Sequence, residues 1–328
     1  MSSFEDAVFA IFAAEEPADL FDSEDAFRRL RRTVHPDVAP PGSEGIATSA
    51  FTRLTELWDS ARIRPGSSRT DSCRTARAPM IGRYPVGKAI EGDLADLFPS
   101  GTALLKIARD PADNDLLTTE AEALRLLPGD RRYRAYFPLL RETFVVEDEG
   151  DYRAVNVLDH CDGFVSLADV ERAYPDGVDP RDAAWMWRRL LVALGAAHRA
   201  GVVHGAVLPE HVLIHPDDHG LVLVDWCYSA LAGASVPALV ERYRDAYPPE
   251  ILAKEPAVPA TDLYLASGLM LRLMGGRAHE KLRRFANGCR FTAPRMRPDD
   301  AWQLLAELDE LLQTLYGPRK FRKFTVPA

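Results

Sequence analysis

The chain has 328 residues, and at about 150 residues per domain this length excludes one small domain and predicts roughly two domains. Hydrophobic residues make up 47% and charged residues 27%, which excludes wholesale disorder and predicts a globular protein. Forty basic against forty-nine acidic side chains give a net charge of -9, which argues against a nucleic-acid-binding protein of generally basic character.

The cysteines and the N-terminus bear on the cellular location. The four cysteines lie far apart and form no C-x-x-C pair, which predicts reduced thiols. The N-terminus begins with acidic residues instead of a basic signal region, and no stretch approaches the roughly 18 apolar residues that cross a bilayer. We therefore expect a cytoplasmic protein with neither a membrane nor a nucleic acid as partner.

One segment divides the chain. Residues 63–79 are poor in large apolar side chains and rich in Ser, Thr, Arg, Pro and Gly, a composition typical of a mobile linker. The sequence therefore predicts a small module over residues 1–62, a linker over 63–79 and a larger domain over 80–328.

The small module contains two amphipathic helical patterns. Phe27, Leu30 and Val34 form the apolar stripe of the first helix. A basic surface is formed by the other side and flank of this helix, with Arg28, Arg29, Arg31 and Arg32. The second helix follows a Pro/Gly loop and carries Phe51, Leu54, Trp58 and Ala61 on one face. Two such helices can enclose a small all-α core.

The next part of the chain has the alternation of a small antiparallel sheet with one helix. Strands are predicted at Tyr84–Ile90, Asp93–Phe98, Thr102–Ala108, Glu142–Asp148 and Tyr152–Leu158. A helix is predicted at Asp115–Leu127, where Leu116, Glu120 and Leu124 share a face.

The C-terminal half is predicted to be mainly helical. Asp179-Pro180 begins a helix that Gly201 can close. Two short apolar strands, Val212–Ile214 and Leu221–Val224, are joined by a loop with hairpin chemistry. Helical patterns continue from Thr261 to about Tyr316. The fold class that we predict for the whole chain is α+β.

The small module resembles a J domain, the module of DnaJ-type co-chaperones. The resemblance rests on the basic helix, the tripeptide His35-Pro36-Asp37, the Pro/Gly loop and the second amphipathic helix, across roughly residues 16–62. It implies that the four arginines with His35, Pro36 and Asp37 bind a DnaK-type chaperone and stimulate its ATP hydrolysis. An arginine surface of this kind suits an acidic groove and should bind more weakly as salt rises. A purely structural interpretation is that Pro36 ends a helix, Asp37 orders a turn and the arginines form a solvated face.

The larger domain resembles the bilobal protein kinase fold over residues 80–316. The matching motifs appear in the family's order: Lys106 in a strand, Glu120 in a helix, V-H-G-A-V-L-P-E-H-V-L-I at 203–214, V-D-W-C at 224–227, Y-P-P-E at 247–250, Asp262 and Arg297. The resemblance implies a nucleotide site formed by Gly92, Lys106, Glu120 and Asp225, with ATP and Mg²⁺ as candidate ligands. It also implies that Arg297 pairs with Glu250.

Several kinase positions depart from the family's pattern. The proton acceptor, the phosphate-binding Lys and the metal-binding Asn are replaced by Ala206, Leu208 and His211. Only Gly92 remains of the three glycines of the phosphate loop, so we expect weak magnesium-dependent ATP binding or none.

Two residue pairs keep alternative interpretations. Lys106 and Glu120 form either a structural ion pair or part of a nucleotide site, and His211 with Asp225 is a candidate metal pair.

The leading hypothesis is a DnaJ-like co-chaperone or adaptor whose pseudokinase domain binds a client, a partner protein or a nucleotide. The alternative is an atypical ATP-dependent phosphotransferase that uses Lys106, Glu120 and Asp225 with a displaced base. The candidate bases are His204, Asp217 and Asp218.

Overall fold

The structure is a computed structural model of the chain. It describes residues 4–14, 16–21, 23–36, 39–40, 43–62, 79–127, 129–148 and 150–327. The predicted linker over 63–79 therefore lies, except for Pro79, outside the described residues, as do Asp37 and Cys73. The described residues form a mixed arrangement of helices and several small sheets, which confirms the α+β class.

Helices account for most of the regular structure. The α-helices of the described residues are α1 Phe4–Ala13, α2 Glu24–Thr33, α3 Glu44–Arg62, α4 Asn114–Leu126, α5 Arg131–Arg134, α6 Leu167–Ala173, α7 Pro180–Arg199, α8 Pro249–Leu252, α9 Pro259–Met274, α10 Glu280–Gly288 and α11 Ala301–Tyr316. Among them, no helix is both long enough and apolar enough to cross a membrane.

The strands are mostly short. They are β1 Met80–Ile81, β2 Tyr84–Pro85, β3 Ile90–Glu91, β4 Ala95–Ser100, β5 Ala103–Ala108, β6 Leu140–Asp148, β7 Asp151–Asp159, β8 Val165–Ser166, β9 Val202–Val203, β10 Val212–His215, β11 Gly220–Leu223 and β12 Ala230–Leu231.

The N-terminal helical segment, residues 4–62, has its own hydrophobic core. Phe27 and Val34 of the predicted stripe are buried, as is Leu54 of the second helix. The sequence analysis missed α1, whose Ala7 and Ile11 are four residues apart and complete the core. The core is therefore built by three helices instead of the two that were predicted.

A five-stranded antiparallel sheet with the order β3-β4-β5-β7-β6 follows. The prediction of one strand over Tyr84–Ile90 is wrong, because the chain pairs only at Tyr84–Pro85 and again at Ile90–Glu91. β5 lies at the centre of the sheet, and its burial on both faces explains its nearly continuous apolar sequence.

The C-terminal half packs α7, α9 and α11 around the largest hydrophobic core. Asp179 caps α7 as predicted, since its side chain accepts a hydrogen bond from the Arg181 amide. β10 and β11 form the predicted hairpin, with Val212 opposite Leu223 and His215 opposite Gly220. This hairpin positions both sites that are described below.

Candidate functional site

The predicted nucleotide residues Lys106, Glu120 and Asp225 meet in one buried cluster. Lys106 projects from β5, Glu120 from α4, and Asp225 lies just beyond the end of β11. Lys106 Nζ lies 3.0 Å from Glu120 Oε1, 2.6 Å from Asp225 Oδ1 and 3.1 Å from Cys227 Sγ. We call these four residues the lysine cluster. All three ammonium hydrogens therefore have a partner inside the protein.

Inside the lysine cluster, the buried positive and negative charges shift each other's pKa. Burial alone would lower the pKa of Lys106, but the Asp225 and Glu120 carboxylates outweigh it and raise that pKa well above its usual value. Burial alone would raise the pKa of Asp225, but Lys106, followed by His211, holds it well below its usual range. Burial raises the pKa of the Cys227 thiol, so Cys227 is a neutral acceptor. The charged forms of Lys106 and Asp225 therefore stabilise each other.

Among the described residues, the Glu120 carboxylate accepts three hydrogen bonds. Besides Lys106, its carboxylate accepts from the Asn156 amide at 3.0 Å and from the Trp226 backbone N–H at 3.2 Å. Sequence reasoning missed Asn156, although one polar residue inside the apolar run V-N-V-L was a usable signal for a buried hydrogen bond. Asn156 is 2% exposed, so it belongs to the interior of the site.

His211 lies beside Asp225 Oδ2, the carboxylate oxygen that Lys106 does not contact. Its Nδ1 lies 2.8 Å from the Ala206 carbonyl oxygen, and its Nε2 lies 3.2 Å from Asp225 Oδ2. A carbonyl only accepts, so Nδ1 carries a proton. His211 therefore adds a second nitrogen contact to Asp225, at the oxygen that Lys106 does not contact.

The arrangement does not fit Mg²⁺ without rearrangement. The carboxylate oxygens and thiol of Glu120, Asp225 and Cys227 lie within 4.8 Å of one another, but the Lys106 ammonium contacts all three residues and takes the place of a cation among them. Both oxygens of Asp225 already face nitrogen atoms. Mg²⁺ requires near-octahedral oxygen ligands, so it would have to displace Lys106 or His211.

His204, a candidate displaced base, has a structural environment. Its Nδ1 accepts from the Ala206 amide at 3.2 Å, and its Nε2 lies 2.9 Å from the Val224 carbonyl oxygen, to which it donates. Burial lowers the pKa of His204 to about 4. The ring is therefore neutral near pH 7 and both of its nitrogens are engaged.

The segment from His204 to Leu208 combines apolar side chains with a buried carboxylate that holds its backbone. Ala206 and Leu208 are buried and offer neither a proton acceptor nor a cation. The Asp262 carboxylate accepts from the backbone amides of His204 at 2.8 Å and Gly205 at 2.9 Å, and so fixes the start of this loop on α9.

The predicted partner of Glu250 is also in place. Arg297 donates to the two oxygens of Glu250 at 2.6 and 3.0 Å, and their side chains are 0% and 2% exposed. This fork-shaped pair confirms the predicted contact, and it joins α8 to the segment before α11.

Gly92 has a structural reason to be glycine. A Cβ atom at this position would lie 2.5 Å from the Ala95 carbonyl oxygen, to which the Gly92 amide donates across the turn from β3 to β4. The next residue, Asp93, accepts a 2.7 Å hydrogen bond from the Tyr228 hydroxyl, which follows the lysine cluster in the chain. This bond ties the turn to the residue that follows the lysine cluster.

The second candidate site, the His35-Pro36-Asp37 turn, is described as far as Pro36. Arg28, Arg29 and Arg32 of α2 are exposed, whereas the Arg31 side chain is 16% exposed and forms an ion pair with Asp218. His35 is 2% exposed and contacts the β10–β11 hairpin. The structure thus separates an exposed set of arginines from a covered pair, Arg31 and His35.

The hairpin separates the other two candidate bases from Asp225. Asp217 and Asp218 lie at its closed end, whereas Asp225 lies beyond its open end. A four-residue strand spans roughly 13 Å, so neither carboxylate shares the site of Asp225.

A scan against protein-family models finds no family that matches the chain, and a search of curated proteins finds no similar sequence.

Proposed function

We propose that the chain is a DnaJ-like co-chaperone or adaptor. In this proposal the helical segment recruits a DnaK-type chaperone ATPase through Arg28, Arg29, Arg32 and the His35-Pro36-Asp37 turn. The observation that carries the proposal is the division of α2 into two faces. Phe27 of the helix and its C-cap residue Val34 are buried, while three arginines of the helix are exposed, and the helix ends at Thr33, two residues before His35. Such a surface suits an acidic partner.

We propose further that the larger domain is a bilobal kinase-like domain without catalytic phosphotransfer, which holds a client, a partner protein or a nucleotide. Two features support this role. Ala206 and Leu208 supply none of the chemistry of phosphoryl transfer. Asp225 is engaged on both oxygens by Lys106 and His211.

The co-chaperone role is tested by the ATPase rate of a purified DnaK-type chaperone at increasing concentrations of the full chain. We expect a concentration-dependent increase that His35→Gln and Asp37→Asn both abolish. His279→Gln is the matched control, because it makes the same change at an exposed histidine of α10's N-cap. Equal stimulation by the wild type and the two turn variants would contradict the proposal.

A phosphotransferase is the second candidate function. The observation in its favour is the assembled contact of Lys106 with Glu120 and Asp225. Its test is incubation with γ-labelled ATP and Mg²⁺ followed by measurement of labelled protein and released phosphate. We expect background levels for the wild type and for Asp225→Asn alike. Transfer by the wild type that Asp225→Asn removes would favour the enzyme.

A further inference from the structure

We propose that the His35 turn is an intramolecular ligand of the larger domain, so that docking of this turn and binding of the chaperone exclude each other. The docking surface consists of Asp218, His219 and Phe321. This inference rests on the proposed co-chaperone function for its consequence, but the docking itself is tested without a chaperone.

Two polar contacts join the turn to the docking surface. His35 Nε2 lies 2.5 Å from the backbone carbonyl oxygen of Asp218, to which it donates. Arg31 contributes an ion pair of 2.7 Å to Asp218 Oδ2, with the Asp218 side chain only 9% exposed. One residue of the hairpin thus accepts from both α2 and the turn that follows it. Because this ion pair is largely shielded from water, loss of either partner would take a counter-ion away from the buried charge of the other.

Aromatic rings cover the same contact. The His35 ring lies 6.1 Å from the His219 ring and 5.8 Å from the Phe321 ring, measured between centroids. His219 in turn stacks between Trp185 at 4.1 Å and Phe321 at 4.4 Å. The imidazole of His35 therefore contacts an aromatic layer as well as a hydrogen-bond acceptor.

The C-terminal tail holds this layer in place. The Arg322 carbonyl oxygen lies 2.8 Å from His219 Nε2, and the Arg322 guanidinium donates to Asp182 of α7 at 2.9 Å. Phe324 is buried against Trp185, with centroids 6.2 Å apart. The tail thus fixes Phe321 beside His35 through contacts that do not involve the helical segment.

The docked state withdraws the recognition group from solvent. His35 is 2% exposed, so its imidazole cannot reach another protein while it contacts Asp218 and Phe321. Asp218 offers Arg31 a carboxylate, which is the type of group that an acidic groove of a chaperone would offer. Chaperone binding through this turn therefore requires that the contacts with the hairpin break first.

Asp218→Arg tests the docking from the side of the larger domain and leaves every residue of the helical segment unchanged. It places a cation beside Arg31. Asp217→Arg is the matched control, because the neighbouring side chain is exposed at the same hairpin. Phe321→Ala is a second variant that removes a ring without changing charge, and a melting curve identifies any variant that fails to fold.

The direct readout is the rate at which diethyl pyrocarbonate modifies each histidine, measured by peptide mass spectrometry on the full chain. In the wild type we expect His35 to react much more slowly than the exposed His279. Asp218→Arg and Phe321→Ala should each raise the His35 rate several-fold, whereas Asp217→Arg should not. A wild-type His35 that reacts as fast as His279 would overturn the docking, with no chaperone involved.

The second readout is stimulation of the chaperone ATPase by the same variants. We expect Asp218→Arg and Phe321→Ala to stimulate several-fold more than the wild type and Asp217→Arg. If both variants expose His35 but stimulate no more than the wild type does, mutual exclusion is wrong. If His35 is protected and then exposed as expected, but no variant stimulates, the docking stands and the co-chaperone function fails.

Discussion

At the residue scale, the histidines illustrate how position decides chemistry. His204 and His211 lie seven residues apart in the same loop region, yet the first is enclosed by two backbone partners and the second faces the Asp225 carboxylate. The sequence could list both as candidate bases or ligands because each is an imidazole. Only their neighbours distinguish a structural ring from a partner of the lysine cluster.

The pKa of His204 predicts a dependence of stability on pH. Because burial lowers that pKa to about 4 from an unfolded value near 6.5, the unfolded chain binds more protons in this window. The free energy of unfolding should therefore fall as pH decreases from about 6.5 to about 4, by up to about 3 kcal/mol from this residue. His204→Gln keeps a side-chain donor and cannot titrate, so the decrease should be smaller.

Urea unfolding of the wild type and His204→Gln at a series of pH values checks this prediction. The quantity compared is the difference in unfolding free energy between pH 7 and pH 5 within each protein, so that a uniform loss of stability in the variant does not matter. Identical differences would mean that His204 takes up no proton on unfolding in this range.

At the element scale, the β10–β11 hairpin connects the two candidate sites. Its closed end carries Asp218, which contacts Arg31 and His35, and its open end leads to Asp225 in the lysine cluster. Val212 to His215 pair with the whole of β11, so the hairpin is held as one unit. A displacement of this hairpin would therefore change the contacts of Asp218 and of Asp225 together.

Another link between elements, the Arg297–Glu250 pair, should contribute strongly to stability. Arg297→Met would remove the cation from the Glu250 carboxylate, which is 2% exposed in the wild type. The Thr261 hydroxyl, which donates to Glu250 Oε1 at 3.1 Å, does not replace that charge. Loss of one partner of a buried ion pair costs about 3–5 kcal/mol. The double variant Arg297→Met with Glu250→Leu should lose less than the sum of the single variants, because no charge is left unpaired.

A double-mutant cycle from urea unfolding curves measures this coupling. Arg295→Met is the control, because it removes the same type of side chain at an exposed position two residues away. Strict additivity of the two changes, or an equal loss in the control, would show that the pair is not a stabilising unit.

At the scale of the whole molecule, the described residues contain two hydrophobic cores built mainly by helices and a smaller one on the five-stranded sheet. One is enclosed by α1, α2 and α3 and includes Leu54, and the other is built around α7, α9 and α11 and includes Leu194. The turn at His35, the hairpin and the tail join them through polar and aromatic contacts. The contacts between the two cores are thus few compared with the packing inside each of them.

We expect two resolved unfolding transitions. Leu54→Ala and Leu194→Ala each remove the same group from a side chain that is 0% exposed, and each should cost about 2–5 kcal/mol. The first should lower only the transition of the helical segment and the second only that of the larger domain. Calorimetry with the two variants provides the measurement, and a single transition that both variants shift equally would contradict the division into two cores.

The sequence by itself determined the elements whose side chains repeat with a clear period or carry a cap. The stripe of α2, the central strand β5, the Asp179 cap of α7 and the hairpin loop after His215 follow from local patterning, and the structure confirms them. Motif order even identified the contact between Arg297 and Glu250, which are 47 residues apart. It missed α1, because this short helix is apolar at nearly every position after Asp6, so its two faces differ little and the periodic signal is weak.

Only the tertiary structure decided what surrounds each side chain. Several of the surrounding contacts join residues that are more than a hundred positions apart in the sequence. Examples are Lys106 with Asp225 and Cys227, Tyr228 with Asp93, and His35 with Asp218. Lys106 and Glu120 are closer together in the sequence. Periodicity describes which face of an element is buried, but it carries no information on the distant group that covers that face. The physical reason is that burial, pKa and hydrogen-bond satisfaction are set by packing between elements, and packing is fixed only when the whole chain is folded.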